Sequence, residues 1–202
     1  LIQEGEEVII IDNLYRGQKE NIEHHLSNKK FTLLMDGVQN KERIDNALYK
    51  ADAVVHFASI SSVFRSIKEP EEVNTINVTA TLNILNLCIK QDVQRFIFSS
   101  SAAVYGRKRN QSLQENDPVY PLSPFAASKI AGEAYCQAYY ETYGLETIIL
   151  RFMNIYGPRI IKVYRRINSK FAEAIINKEP LLIAGDGEQT RDFTYVSDAV
   201  DA

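Results

Sequence analysis

The chain has 202 residues, 45% hydrophobic and 24% charged, with a formal net charge of −3, which suits one globular domain, or one and part of a second, whose core needs no metal or disulfide staple. Lys and Arg are scattered and dense only in RKR at 107–109 and YRR at 164–166; two short clusters make no phosphate-binding stripe, so nucleic acid is not expected as a partner. No apolar run reaches membrane-span length and no signal peptide stands ahead of the fold, so a cytoplasmic protein without membrane attachment is expected.

The opening LIQEGEEVIIID reads as the last turn of a helix, a glycine stop and a strand already under way. An N-terminal strand is therefore expected to be absent from this chain. The runs VIIID (8–12), FTLLM (31–35), AVVHF (53–57), RFIFS (95–99) and ETIILRF (146–152) are short, hardly alternate and are rich in β-branched or aromatic residues. Such runs predict strands of a parallel sheet buried on both faces. Helical patterns at 40–50, 71–91 and 124–143 fall between them with the lengths of crossover helices. The alternation predicts an α/β fold with a doubly wound, Rossmann-like parallel sheet. Cys88 and Cys136 lie inside helical patterns with no CxxC or Cys/His cluster, so both are expected as reduced core residues, and no metal site is expected. After about residue 153 the alternation stops. A NIYGPR turn, a helix near 167–178, a short strand at 181–183, a GDGEQ turn and a strand at 192–196 predict the start of a smaller substrate lobe, its C-terminal part absent. The expected division is 1–153 for the Rossmann-like domain and 154–202 for the partial lobe.

Ligands of an open parallel sheet bind beyond the carboxyl ends of its strands. The residues there are Asp12 and Asn13, Asp36 and Gly37, Ala58 and Ser59, Ser99 to Ser101, and Asn154. All are small or hydrogen-bonding. A carboxylate at the position of Asp12 can accept both hydroxyls of a ribose and repels a phosphate, favouring NAD over NADP; an Asp-Asn surface turn is the alternative, and nearby Arg16 could receive a 2′-phosphate. Asp36 with Gly37 is either a loop turn or, beside Asp12, an adenine contact. SPFAASK at 123–129 starts a helix well, with a serine cap and proline at the first position. It also sets Phe125 and Lys129 four apart on one face.

FSSSAAVYG (98–106), SPFAASKIAGE (123–133), LRFMNIYGPR (150–159) and GDGEQTRDFTYVSD (185–198), in this order and spacing, resemble the extended short-chain dehydrogenase/reductase family that modifies nucleotide sugars. The pattern is most similar to that of its UDP-glucose 4-epimerases. The resemblance implies NAD as cofactor, a nucleotide sugar, most simply a UDP-hexose, as substrate, and a homodimer formed through the helices near 71–91 and 124–143. It also implies a longer protein, with a glycine-rich phosphate turn upstream and a fuller substrate lobe downstream. In that family a Tyr and Lys of a YxxxK motif work with a Ser or Thr at the end of the fourth strand read here. A phenol of pKa near 10 is too protonated to act as a base at neutral pH unless a cation favours its anion. Lys129 matches the lysine and Ser101 the hydroxyl, but Phe125 stands at the tyrosine position, so low activity is expected. The resemblance further implies that Phe57, Ala58 and Ser59 run beneath the cofactor's phosphates and ribose, and that Asn77 lies near the cofactor. By the same likeness Ser99 faces the nicotinamide, Lys129 also contacts the cofactor, and Asn154 and Arg191 hold the substrate diphosphate. No Asp-Glu pair lies in the SSSAAVYG segment, where the family's 4,6-dehydratases carry one, which places epimerase ahead of dehydratase; a catalytically silent NAD- or nucleotide-sugar-binding homologue, or a dehydratase or decarboxylase of the same family, is the alternative.

Overall fold

The computed structural model describes residues 1–107, 112–159, 167–183 and 185–201; YRR and most of RKR fall outside the described residues. The chain divides into two units, Leu1–Arg151 and Phe152–Ala202.

The first unit opens with a 3₁₀ turn, Ile2–Glu4, stopped by Gly5 at φ 91°, a left-handed geometry that glycine adopts without steric cost. Strand β1 (Val8–Ile11) pairs in parallel with β2 (Phe31–Leu34). Helix α1 (Lys41–Leu48) follows, its first turn capped by Asn40, whose side chain accepts from the Arg43 amide. Strand β3 (Ala53–His56) pairs in parallel with β4 (Arg95–Ser101), and β5 (Glu146–Phe152) lies on the other side of β4. Among the described residues the strands of this unit thus form two ladders, β1–β2 and β3–β4–β5. No described strand bridges β1 and β3.

Burial on both faces is corrected by the structure. Along β3, Val54 and His56 turn inward while Ala53 and Val55 are exposed, and along β4 Phe96, Phe98 and Ser100 are buried while the residues between them are less so. The reason is that the packed helices meet on one core: Ile44 and Leu48 of α1, Ile84, Leu85 and Cys88 of α4 (Ala80–Lys90), and Cys136 and Tyr139 of α5 (Pro124–Tyr143) close over Phe96 and Phe98. Both cysteines are free and buried, and burial pushes their thiols up to about 12.

The segment expected as a helix, 71–91, is helical without a break from Pro70 to Lys90, but carries a π-helical turn inside it. A short helix absent from the sequence reading, α2 (Val63–Lys68), is capped by Ser62. It is followed by α3 (Pro70–Asn74), a π-helical turn at Thr75–Thr79, and then α4. A π turn accommodates one extra residue and re-aims its side chains; here it directs Asn77 away from the helix onto the loop after β3. Helix α5 keeps its expected bounds. Ser123 accepts from the Ala126 amide, Pro124 takes the first position, and Gly144 ends the helix at φ 73°.

In the second unit β6 (Asn154–Tyr156) pairs in parallel with β7 (Phe193–Tyr195), accompanied by α6 (Ile167–Asn177) and α7 (Val196–Asp201). Two expectations are corrected here. The NIY segment, taken for a turn, is a strand because it finds a partner in FTY. Residues 181–183 form no strand, since Leu181, Leu182 and Ile183 stay exposed with no ladder partner among the described residues. No helix among the described residues is long and apolar enough to cross a membrane, and no cluster of three His, Cys, Asp or Glu side chains among them is placed to hold a metal.

Candidate active site

Lys129 is the most tightly held of the candidate residues. Helix α5 buries Phe125, Ala126, Ser128, Lys129, Gly132, Glu133, Cys136 and Tyr139, a spacing of three and four that keeps one face on the sheet. Lys129 is only 3% exposed. Its Nζ donates to the Ser99 carbonyl at 2.7 Å and lies 5.0 Å above the Phe98 ring. Burial lowers its pKa to about 8, because a desolvated ammonium loses hydration that one carbonyl and a ring face only partly replace. Gly132 makes this approach possible: a Cβ there would sit 2.3 Å from Phe98 Cζ.

Phe125, at the second position of α5, is 6% exposed. Its carbonyl accepts from the Ser128 hydroxyl at 2.7 Å, and its ring offers no proton. Ser101 ends β4, and its Oγ accepts from the Ala103 amide at 3.2 Å, starting the 3₁₀ turn Ala102–Tyr105. A hydroxyl accepting there keeps its own proton available to donate elsewhere.

Near Lys129 lies His56, buried, with Nε2 2.9 Å from Thr81 Oγ1. Thr81 spends its single hydroxyl proton on the Asn77 carbonyl at 2.7 Å, so His56 Nε2 must donate to Thr81, and the ring is the neutral Nε2–H tautomer. Burial, then the Lys129 cation, lower its pKa to about 3.

Asn77 is 2% exposed, and its amide is committed to the protein: Oδ1 accepts from the Ile60 amide at 2.7 Å, and Nδ2 donates to the Ile60 carbonyl at 3.1 Å and to Ser128 Oγ at 2.9 Å. Its side chain therefore ties the loop after β3 to α5. Phe57, Ala58 and Ser59 form the start of that loop, with Phe57 60% exposed and Ser59 Oγ making a long 3.5 Å bond to the Phe57 carbonyl. The loop after β1 reaches the same region, since Arg16 donates to Ser61 Oγ at 2.6 Å and the Arg65 guanidinium lies 5.0 Å over the Tyr15 ring.

Asp12 forms an Asx turn, with Oδ1 accepting from the Leu14 amide at 2.7 Å, and Asn13 does likewise for Tyr15 at 3.0 Å. Asp36 is used locally on both oxygens, by the Gly37 amide at 2.7 Å and by Asn40 Nδ2 at 2.7 Å, with Arg43 3.5 Å away. In the second unit, Asn154 donates from both its backbone and its side-chain amide to the Asp192 carbonyl, at 3.3 and 3.0 Å. This brings it beside Arg191, which is exposed and donates to the Thr190 carbonyl.

The sequence gives little sign of a largely buried network. Arg151 of β5 holds Glu133 of α5 through two parallel bonds, Nε to Oε1 at 2.9 Å and Nη2 to Oε2 at 2.7 Å. The same carboxylate accepts from Ser100 Oγ, and Arg151 Nη1 donates to Tyr105 Oη at 2.9 Å and to the Glu115 carbonyl at 2.8 Å. Its only sequence signals were the Glu of SPFAASKIAGE, one turn beyond Lys129, and the Arg of LRF.

The residues present fit a dinucleotide in part. Lys129 has donors beyond the one given to Ser99, and Asp12 Oδ2 has no partner among the described residues, so the first unit offers a cation and a carboxylate at the strand ends where ribose hydroxyls would be held.

Comparison with known proteins agrees. A provisionally named UDP-glucose 4-epimerase of Methanocaldococcus jannaschii is 38% identical over 205 residues, covering all of this chain and 66% of the relative. UDP-glucuronic acid decarboxylase 1 of Arabidopsis thaliana is 35% identical over 206 residues, again covering the whole chain but 46% of the relative. Among solved structures, UDP-N-acetylglucosamine 4-epimerase from Methanobrevibacter ruminantium M1, in complex with UDP-N-acetylmuramic acid, superposes with a TM-score of 0.88 at 38% identity over 96% of this chain and 63% of that one. The chain thus spans between about half and two thirds of the length of these proteins. With the NAD dependent epimerase/dehydratase family model matching residues 1–202, the chain belongs to that NAD-dependent family.

Proposed function

We propose that the chain is part of a nucleotide-sugar 4-epimerase acting on UDP-hexoses, slowed by phenylalanine at position 125. The observation that carries this is Lys129, a buried ammonium on the Ser99 carbonyl at the end of β4, one helical turn from a ring that has no hydroxyl. NAD, when bound, supplies a reversible hydride acceptor, so that C4 of the sugar is oxidised and then re-reduced on its other face with no net oxidation. On the protein side, Lys129 holds positive charge against the cofactor ribose, Ser101 donates to the C4 oxygen, and Asp12 accepts from ribose hydroxyls. Asn154 and Arg191, adjacent in the second unit, hold the diphosphate; the planar guanidinium suits two phosphate oxygens at once. A base is the missing part.

Restoring it is the test. In the full-length protein Phe125→Tyr is expected to raise UDP-glucose to UDP-galactose turnover by about 10² to 10⁴, the usual contribution of a positioned acid/base group. An unchanged rate, with NAD and UDP-sugar still binding by calorimetry, would instead identify a silent binding protein. A second reading, decarboxylation, is favoured by the similarity to the Arabidopsis decarboxylase. Release of carbon dioxide from UDP-glucuronate by Phe125→Tyr, without epimerised product, would select it.

A further inference from the structure

We propose that Glu133 and Arg151 are positioning residues: their ion pair sets α5 against the sheet so that the Lys129 amine meets the Ser99 carbonyl and the Ser101 hydroxyl faces the reacting centre. This rests on the reading of Lys129 and Ser101 just given. The carboxylate of Glu133, 8% exposed, joins three elements. It lies on α5 four residues after Lys129, and so on the same helix face; it receives the guanidinium of Arg151 from β5 in a two-bond fork; and it accepts from Ser100 of β4. Ser100 stands between the two residues that matter. Side chains alternate along a strand, so fixing Ser100 against the helix turns Ser99 and Ser101 to the opposite face while the Ser99 carbonyl stays on Lys129. The remaining Arg151 donor reaches Tyr105 Oη and the Glu115 carbonyl. That pins the 3₁₀ turn that begins directly after Ser101.

Stability alone is a poor reason for such a pair. Buried ion pairs often do no better than apolar residues of the same size, whereas removing one partner strands a charge. This contrast separates a positioning role from a merely structural one.

The test uses full-length protein carrying Phe125→Tyr, with Glu133→Met alone, Glu133→Met with Arg151→Met, and Glu133→Gln. Three readouts are taken: urea stability, kcat and KM, and the pH titration of the Lys129 Nζ resonance in ¹⁵N-lysine protein, assigned with Lys129→Arg. Glu133→Met should be strongly destabilised. The double variant should recover stability yet lose about tenfold to a hundredfold in kcat at near-constant KM, the scale of a small misplacement. Its Lys129 titration should move upward toward the ordinary lysine range as the amine gains water, with His56 staying neutral. Glu133→Gln keeps the shape without the charge, should show the same upward movement, and decides the question if the double variant does not fold. Parental kcat and a parental Lys129 titration in a folded double variant or in Glu133→Gln would overturn the proposal. Should the Phe125→Tyr parent itself be inactive, the functional reading fails, but the Lys129 titration needs no turnover and still decides this one.

Discussion

At position 129 a cation lies buried one helical turn from the Phe125 ring, and its burial has a measurable sign. The folded chain holds Lys129 at about 8, against 10.5 when solvated. Below pH 8 both states are charged and the desolvation penalty is fully present. Between pH 8 and 10.5 the folded state releases its proton first, the unfolded chain binds more protons, and stability rises with pH. Lys129→Met should therefore stabilise the protein at pH 7 by about 1 to 3 kcal/mol, less than the full shift implies because the Ser99 carbonyl loses its donor, and the gain should vanish above pH 10.5. Denaturant titrations at pH 7 and 10.5 measure it. His56 has the opposite pH window. Held at about 3 against 6.5, it lets the unfolded chain take its proton first as pH falls, so stability is lost between pH 6.5 and 3. His56→Gln, which can still donate to Thr81, should flatten that acid limb in a pH series of thermal melts.

Helix α5 and strand β4 meet at a point with no spare room. Gly132 lies against Phe98 so closely that an added Cβ would overlap the ring at 2.3 Å. That same ring supports the Lys129 amine. Alanine ordinarily gains helix stability over glycine by about 1 kcal/mol; here Gly132→Ala should instead cost about 1 to 3 kcal/mol net through overpacking, read as a lower urea midpoint at unchanged slope. The π turn has a comparable local role. By widening the helix it lets Asn77 satisfy both backbone groups of Ile60 and also reach Ser128, so the end of the loop after β3 is held by a side chain of the helix.

For the molecule as a whole, pairing remains a proposal. A groove of about 510 Å³ runs between the α3–π segment and α5, lined by Asn74, Thr75, Val78, Ala127, Ser128 and Ala131 among others. Small side chains let helices approach closely, and these are the two helical segments through which the family resemblance implies a homodimer. Light scattering of the full-length protein should give a dimer, and Ala131→Arg, which fills the groove with a charged stem, should give a monomer. A monomeric parent would remove the proposal.

Much of this was readable from the residues. Apolar runs separated by helical patterns marked the parallel strands, Ser-Pro and Gly marked both ends of α5, and four ordered motifs carried the family; these depend on local periodicity and capping, which neighbours in sequence decide. The π turn at Thr75–Thr79, the NIY strand and the Glu133–Arg151–Ser100 network were not readable, because each depends on a partner far along the chain: Ile60 for Asn77, FTY for NIY, β4 and β5 for Glu133. Sequence established that Lys129 and Phe125 share a helix face, since four residues make one turn. Only packing decided that the lysine would be stripped of water, for desolvation is a property of what closes over a group and not of the residues beside it.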